Sequence, residues 1–258
     1  MNKPDIEKLT ALMERLRGPQ GCAWDKEQTL ESLVPFIIEE AYEVISAIDS
    51  GEADAIKEEL GDLLFQIIFV AEICRGKGLF DMSSVIDGSV DKMIRRHPHV
   101  FGDAKADTAD EVLKRWAEIK TKEAKAKADQ GCLSGVPEVM PALLRAHKVS
   151  EKAARIGFDW QDIGQVFKKV EEEILEFKSA LKKGNIKEME EELGDILFTI
   201  VNVARFIEIN PEDALRKTVG KFITRFHFIE KRLLKQGKDI GSSSLDEMER
   251  LWQASKGI

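Results

Sequence analysis

The sequence predicts an all-α protein built as two tandem copies of one helical unit, and three observations carry that expectation. Glu, Lys, Leu, Ile and Ala dominate the composition, while the strand-favouring aromatics are scarce, with one Tyr and four Trp in 258 residues. No stretch alternates apolar and polar residues with a period of two, so no sheet of any size is expected. Most informative is a repeat in strict register. Glu39-Glu40-Ala41-Tyr42-Glu43 returns as Glu172-Glu173-Ile174-Leu175-Glu176, and Glu59-Leu60-Gly61-Asp62 returns as Glu192-Leu193-Gly194-Asp195, both at an offset of 133 residues. Glu58–Ala71 and Glu191–Ala204 share 10 of 14 positions, and one register held across two motifs and the variable stretch between them means duplication.

The elements follow from the punctuation. In the first copy one helix ends at Ser50-Gly51, a second runs from about Ala53 to Arg75, and a third follows the break at Gly76-Lys77-Gly78 and stops before His97-Pro98. In the second copy a helix spans about Asp162 to Lys183 and stops at Gly184-Asn185, a good C-cap pair. The next runs from near Ile186 to about Ile207. Asn210-Pro211-Glu212-Asp213 then supplies an N-cap, a proline at the first helical position and acids in the first turn, opening a helix to about Lys235. Between the copies the Ala/Lys run 124–131 reads as a fraying helix end, and Gly135, Pro137 and Pro141 as a linker. The expected division is 1–128, a linker 129–140, and 141–258.

Composition narrows the partners. The net charge of −8, with 47 acidic against 39 basic residues, argues against gripping a nucleic-acid polymer, whose affinity comes from neutralised phosphates. It permits a small phosphate ligand if a metal ion stands between carboxylates and phosphates. Cys22, Cys74 and Cys132 are odd in number and far apart, which reads as reduced thiols without a disulfide frame or zinc site. With no apolar leader after Met1 and no run of about 18 apolar residues, a cytoplasmic protein off the membrane is expected.

The acidic motif has the pattern of a metal site. Glu173 and Glu176 are three apart on a helix, about 60° around its axis, so their carboxylates leave one face. Glu192 and Asp195 repeat that spacing on the next helix, and the short connection makes the two helices antiparallel neighbours. Up to four negative charges then share one cleft, where repulsion and desolvation both oppose them until a divalent cation balances the charge. Oxygen-only ligands select a hard ion, Mg²⁺ first and Mn²⁺ second. The apolar run Ile196, Leu197, Phe198, Ile200, Val201 directly after the acids calls for burial, unlike a solvated acidic face. Gly194, inside the helix at a cost of about 1 kcal/mol relative to Ala, suggests close approach by another helix or a ligand.

Two acid motifs fifteen residues apart on a helical chain resemble the MazG-type nucleoside triphosphate pyrophosphohydrolases, whose relatives include the dimeric dUTPases and the phosphoribosyl-ATP pyrophosphatases. Cys22-Ala23-Trp24-Asp25-Lys26-Glu27-Gln28-Thr29-Leu30-Glu31-Ser32-Leu33 is similar to a segment of the bacterial family, which usually has Pro at the Ala23 position; Arg95-Arg96-His97-Pro98-His99-Val100-Phe101 is a second such segment. The resemblance covers nearly the whole chain. It implies Mg²⁺-dependent cleavage between the α and β phosphates of ribo- and deoxyribonucleoside triphosphates, broad base tolerance, and a homodimer in which a second subunit completes each bundle.

Residue by residue, the resemblance assigns the metal to Glu173, Glu176, Glu192 and Asp195, and in the first copy to Glu40, Glu43, Glu59 and Asp62, with Glu39 behind them. It makes Glu172 the partner of the attacking water, and Lys221 and Arg225 the phosphate-contacting pair, with Lys92 and Arg96 at the same spacing in the first copy. Asn202 stands where active domains of the family carry Asn, while its counterpart is Phe69, so the second copy is expected to be the main catalytic one. Trp116 and Trp252 read as helix-packing aromatics.

Other chemistries lack their residues. A di-iron bundle needs Glu-x-x-His, and none of His97, His99, His147 or His227 has Glu three residues earlier. There is no nucleophile elbow, P-loop or dinucleotide fingerprint. The acids also suit a base-specific dUTP or dCTP hydrolase of the same superfamily, or a helical sensor that binds Mg–nucleotide without cutting it.

Overall fold

The structure is a computed structural model that describes residues 6–102 and 131–257 and, between them, 104, 106, 108, 109, 111, 112, 115, 116 and 119. The charged run 124–130 lies outside the described residues. The chain divides into two units, Met1–Ala126 and Lys127–Ile258. All regular structure among the described residues is helical, as the composition and absence of alternation predict.

The first unit comprises α1 (Ile6–Arg17), α2 (Ala23–Glu27), α3 (Leu30–Ser50), α4 (Ala53–Gly76), α5 (Met82–Arg96) and α6 (Pro98–Phe101). Thr29 starts α3 with a reciprocal cap: Ser32 N donates to Thr29 Oγ1 at 3.2 Å, and Thr29 N donates to Ser32 Oγ at 2.9 Å. Gly51, at φ 74°, ends it in the left-handed region that favours glycine. The short connection folds α4 back on α3, and α1 packs along α4. Met13, Leu33, Ile68, Phe69 and Ile73 form the core where these helices meet. Each such buried side chain contributes about 1.5–3 kcal/mol of transfer free energy. The Arg17 guanidinium lies 5.3 Å from the Phe69 ring centre and donates to the carbonyls of Asp25 and Gln28, so α1 holds the α2 turn in place.

The second unit comprises α7 (Ala142–Arg155), α8 (Ile163–Lys183), α9 (Ile186–Phe206), α10 (Pro211–Lys235) and α11 (Leu245–Ala254), with short 3-10 turns at Ile240–Ser242 and Ser255–Gly257. Asp162 caps α8 by accepting from Gln165 N at 3.0 Å, and Gly184 closes it at φ 69°. Asn185 caps α9 and Asn210 caps α10, whose first residue is Pro211. Where the sequence sets a limit, the long helices begin or end within a residue or two of it; the starts at Leu30 and Met82 are not among those limits. As in the first unit, the central pair, here α8 and α9, is a tight hairpin, with α7 against α9.

Each hairpin leaves an apolar face uncovered, and the same positions do so in both units. Val34 and Phe167, Tyr42 and Leu175, Leu60 and Leu193, Ile67 and Ile200 are related by the 133-residue offset, and all are 42–65% exposed. Scattered exposed apolar side chains need no explanation, but a stripe repeated position for position marks a surface made to be covered.

Candidate metal and nucleotide site

In the second unit α8 carries Glu173, and α9 carries Glu192 and Asp195 one turn apart. One carboxylate oxygen from each of these three lies within 4.8 Å of the others. Glu173 is 4% exposed, and its charge is met by Lys169, one turn earlier, whose Nζ is 2.7 Å from Glu173 Oε1 and 2.7 Å from Glu172 Oε1. Glu192 Oε2 is buried and accepts no hydrogen bond from the described residues. Burial, then the charges of Glu176, Glu173 and Asp195, push the Glu192 carboxyl above the usual carboxylate range. An orphaned buried acceptor among converging carboxylates, with oxygen the sole ligand type, is the environment a hard divalent cation fits. Glu176 is exposed and outside the converging three, acting on them through its charge. Glu172 is exposed and turned to Lys169.

The first unit repeats the arrangement with a different trio. Glu40, Glu43 and Glu59 converge within 4.8 Å, and Asp62 stands outside the trio. Burial raises the Glu40 carboxyl; the Gln66 amide, donating at 3.4 Å, opposes the shift, and the charges of Asp62, Glu43 and the exposed Glu39 add to it. Glu59 is raised by burial and then by Glu43 and Asp62. The register position of Lys169 is Phe36 here, so the lysine one turn before the acids has no counterpart at that position.

A pocket of about 500 Å³ opens in the second unit, lined mainly by Leu133, Val149, Phe158, Trp160, Gln165, Phe198 and Asn202. Phe198 and Asn202 follow Asp195 by three and seven residues on α9, so the pocket continues the face that carries Glu192 and Asp195. Asn202, 1% exposed, donates through Nδ2 to the Phe198 carbonyl at 3.0 Å and accepts at Oδ1 from Arg205 Nε at 3.3 Å. In the first unit the equivalent Phe69 is core.

The basic pair of the second copy lies on α10. Lys221 is exposed on α10, and the Arg225 guanidinium lies 5.6 Å from the Trp252 ring centre, beside a Phe222–Trp252 contact at 5.1 Å. Trp252 thus packs α11 on α10, as expected. No described contact joins Lys221 or Arg225 to the carboxylates. In the first unit Lys92 and Arg96 lie near the end of α5. Gly194 does not meet the expectation of a close neighbour within this chain: among the described residues no atom lies within 4 Å of where its Cβ would be, and Gly61 is equally open.

Two contacts at the candidate site escape the sequence reading. Lys169 could have been found, because it precedes Glu172 and Glu173 by three and four residues and therefore shares their helix face. The ion pair of Arg205 with Asp159 spans 46 residues, and no local spacing announces it.

Comparison with known proteins fits this geometry. The MazG nucleotide pyrophosphohydrolase domain matches twice, over residues 28–101 and 161–228. A nucleoside triphosphate pyrophosphohydrolase/pyrophosphatase MazG from Thermotoga maritima is 43% identical over 252 residues, 98% of this chain and 96% of that one. A nucleoside triphosphate pyrophosphohydrolase of Escherichia coli K12 is 42% identical over 254 residues, 97% of each chain.

Proposed function

Because the chain belongs to the MazG nucleotide pyrophosphohydrolase family, we propose that it hydrolyses ribo- and deoxyribonucleoside triphosphates to the monophosphate and pyrophosphate, with Mg²⁺ and broad base tolerance, chiefly in its second unit. The observation that carries this reading is the convergence of Glu173, Glu192 and Asp195 around an unpartnered Glu192 oxygen, beside Lys169 and along the helix face that leads to the apolar pocket.

Glu173, Glu192 and Asp195 would hold the ion, with Glu176 moving in from one turn away. A bound Mg²⁺, or Mn²⁺ in its place, supplies charge neutralisation for the phosphates and a lowered pKa for a water. The chain's own groups then do the positioning. Once Glu173 is occupied, Lys169 is free to turn its ammonium to a phosphate oxygen. Glu172 orients the attacking water and takes its proton. The water oxygen bonds to the α phosphorus as the bridging α–β oxygen leaves with the pyrophosphate, so binding and electrostatics supply most of the catalysis. Lys221 and Arg225 are assigned to the departing phosphates, the base to the pocket beside Asn202, and the repeated apolar faces to a second copy of the chain.

The first unit keeps the acids but has Phe36 for Lys169 and Phe69 for Asn202, which supports a regulatory or structural role or weaker activity. The −8 net charge supports small nucleotides over a nucleic-acid polymer. Among the described residues no helix is long and apolar enough to cross a membrane.

Product analysis tests the reading. Purified protein with ATP and Mg²⁺ should yield AMP and pyrophosphate and nothing without the metal. ADP and phosphate would mean the wrong bond, and nucleotide binding without turnover would mean a sensor.

A further inference from the structure

We propose that Asp159, Arg205 and Asn202 form a clamp that fixes the 157–160 turn as a wall of the pocket and so sets how tightly the base is held; this rests on the assignment of the pocket to the base. Arg205, near the end of α9, grips the Asp159 carboxylate with two nitrogens: Nη1 donates to Oδ2 at 2.9 Å and Nη2 to Oδ1. The side chains are 14% and 25% exposed, so the pair is largely withdrawn from water, where a two-pronged guanidinium–carboxylate contact fixes direction as well as distance. Arg205 is itself aimed. Its Nε donates to Asn202 Oδ1 at 3.3 Å, Asn202 is anchored to its own helix through the Phe198 carbonyl, and the guanidinium rests 4.8 Å from the Phe206 ring centre.

Backbone bonds from Gly157 N to the Ala154 carbonyl at 2.9 Å and from Phe158 N to the Ala153 carbonyl at 3.1 Å tie the start of the turn to the end of α7, and Arg205 ties its far side, at Asp159, to α9. Gly157 adopts φ 87°, and Phe158 is 81% exposed, so this side chain contributes little packing. Asp159 also accepts at Oδ1 from Trp160 N at 2.9 Å. One carboxylate therefore sets both the attachment of the turn to α9 and the start of Trp160, a lining residue of the pocket. Asn202 acts through Arg205 as a positioning residue. Phe69 and Glu72 occupy the corresponding places in the first unit, where Arg17 holds the segment before α3 by backbone carbonyls instead.

The full-length protein, Asp159→Asn, Arg205→Gln and Arg205→Lys are compared for turnover of ATP and for inhibition by inorganic triphosphate, which has the phosphates and no base. Asp159→Asn and Arg205→Gln should raise KM for ATP about tenfold, the scale of a misplaced pocket contact, with kcat within about twofold. The inhibition constant of triphosphate should not move, and Arg205→Lys, which keeps the charge but not the two-pronged contact or the Nε bond to Asn202, should recover only part of the KM. A parallel loss of triphosphate binding, a loss confined to kcat, or an unchanged KM would overturn the proposal; circular dichroism keeps misfolding separate. If the unmodified protein does not turn ATP over, the function reading fails on its own. The clamp is then tested by the dissociation constants of ATP and triphosphate, where only a selective loss of ATP supports it.

Discussion

Replacing Lys169 by Met removes the cation from the acid cluster while keeping an unbranched apolar stem. The Lys169–Glu173 contact is 2.7 Å, with Glu173 5% and Lys169 35% exposed. At that distance two unit charges attract by about 6 kcal/mol at an effective dielectric of 20 and about 1.5 kcal/mol in water. Lys169 is open enough that the watery limit weighs heavily, and desolvation of Glu173 offsets part of the rest, so the net loss should be about 1–2 kcal/mol. The contacts with Glu172 and Glu173 hold the Lys169 pKa far above neutrality, so the charge is present at every working pH. In chelator the variant should melt about 2–6 °C below the unmodified protein. Saturating Mg²⁺ should shrink that gap, because the ion then balances Glu173, while KM for ATP rises about tenfold. A melt identical to the unmodified protein in chelator, or a gap that Mg²⁺ leaves untouched, would refute the idea that Lys169 and the metal compensate the same charge.

Glu192→Gln should cut turnover at least about a hundredfold with helix content unchanged by circular dichroism, whereas Glu59→Gln should retain most activity; the reverse ranking would move catalysis to the first unit. Glu192, Glu40 and Glu59 are raised above 4.5 by burial and like charges, so the metal-free fold keeps protons that the unfolded chain has lost. Their contribution to stability is therefore full below about 4.5 and lost as pH rises through the raised values, so the Mg²⁺-minus-chelator Tm difference should widen over that window. A difference flat with pH contradicts the assignment. Phe69→Ala, at a position 1% exposed in the first core, should cost about 3–5 kcal/mol in denaturant titrations. Light scattering should give a dimer for the unmodified chain and a monomer for Ile67→Glu with Ile200→Glu, whose side chains are exposed in the single chain.

Helix ends and the acid faces were legible because both depend on local rules. Asp162 and Asn210 cap within three residues of their own position, and Gly51 and Gly184 stop helices by their own φ; Asn185, read as the end of one helix, instead caps the start of the next, and the start at Thr29 is absent from the expected limits. The carboxylates were placed by spacing on two helices joined by a short loop. Spacing puts four acids on facing sides but does not decide which three converge. Asp195 joins the trio in one unit and Asp62 stays outside it in the other, although their motifs are the same. Asn202 shows where a one-dimensional reading ends. As a polar residue opposite Phe69 it suggests a contact to substrate, yet its amide is bonded to Phe198 and to Arg205, which reaches back 46 residues to Asp159. Gly194 shows the other boundary. Its open surroundings, beside the exposed Leu193, Leu197 and Ile200, leave room on α9 for a neighbour that the described residues do not supply. Duplication thus conserved the acid hairpin and its apolar outer face, while the residues one and two turns beyond the acids diverged into a plugged core in one unit and a clamped pocket in the other.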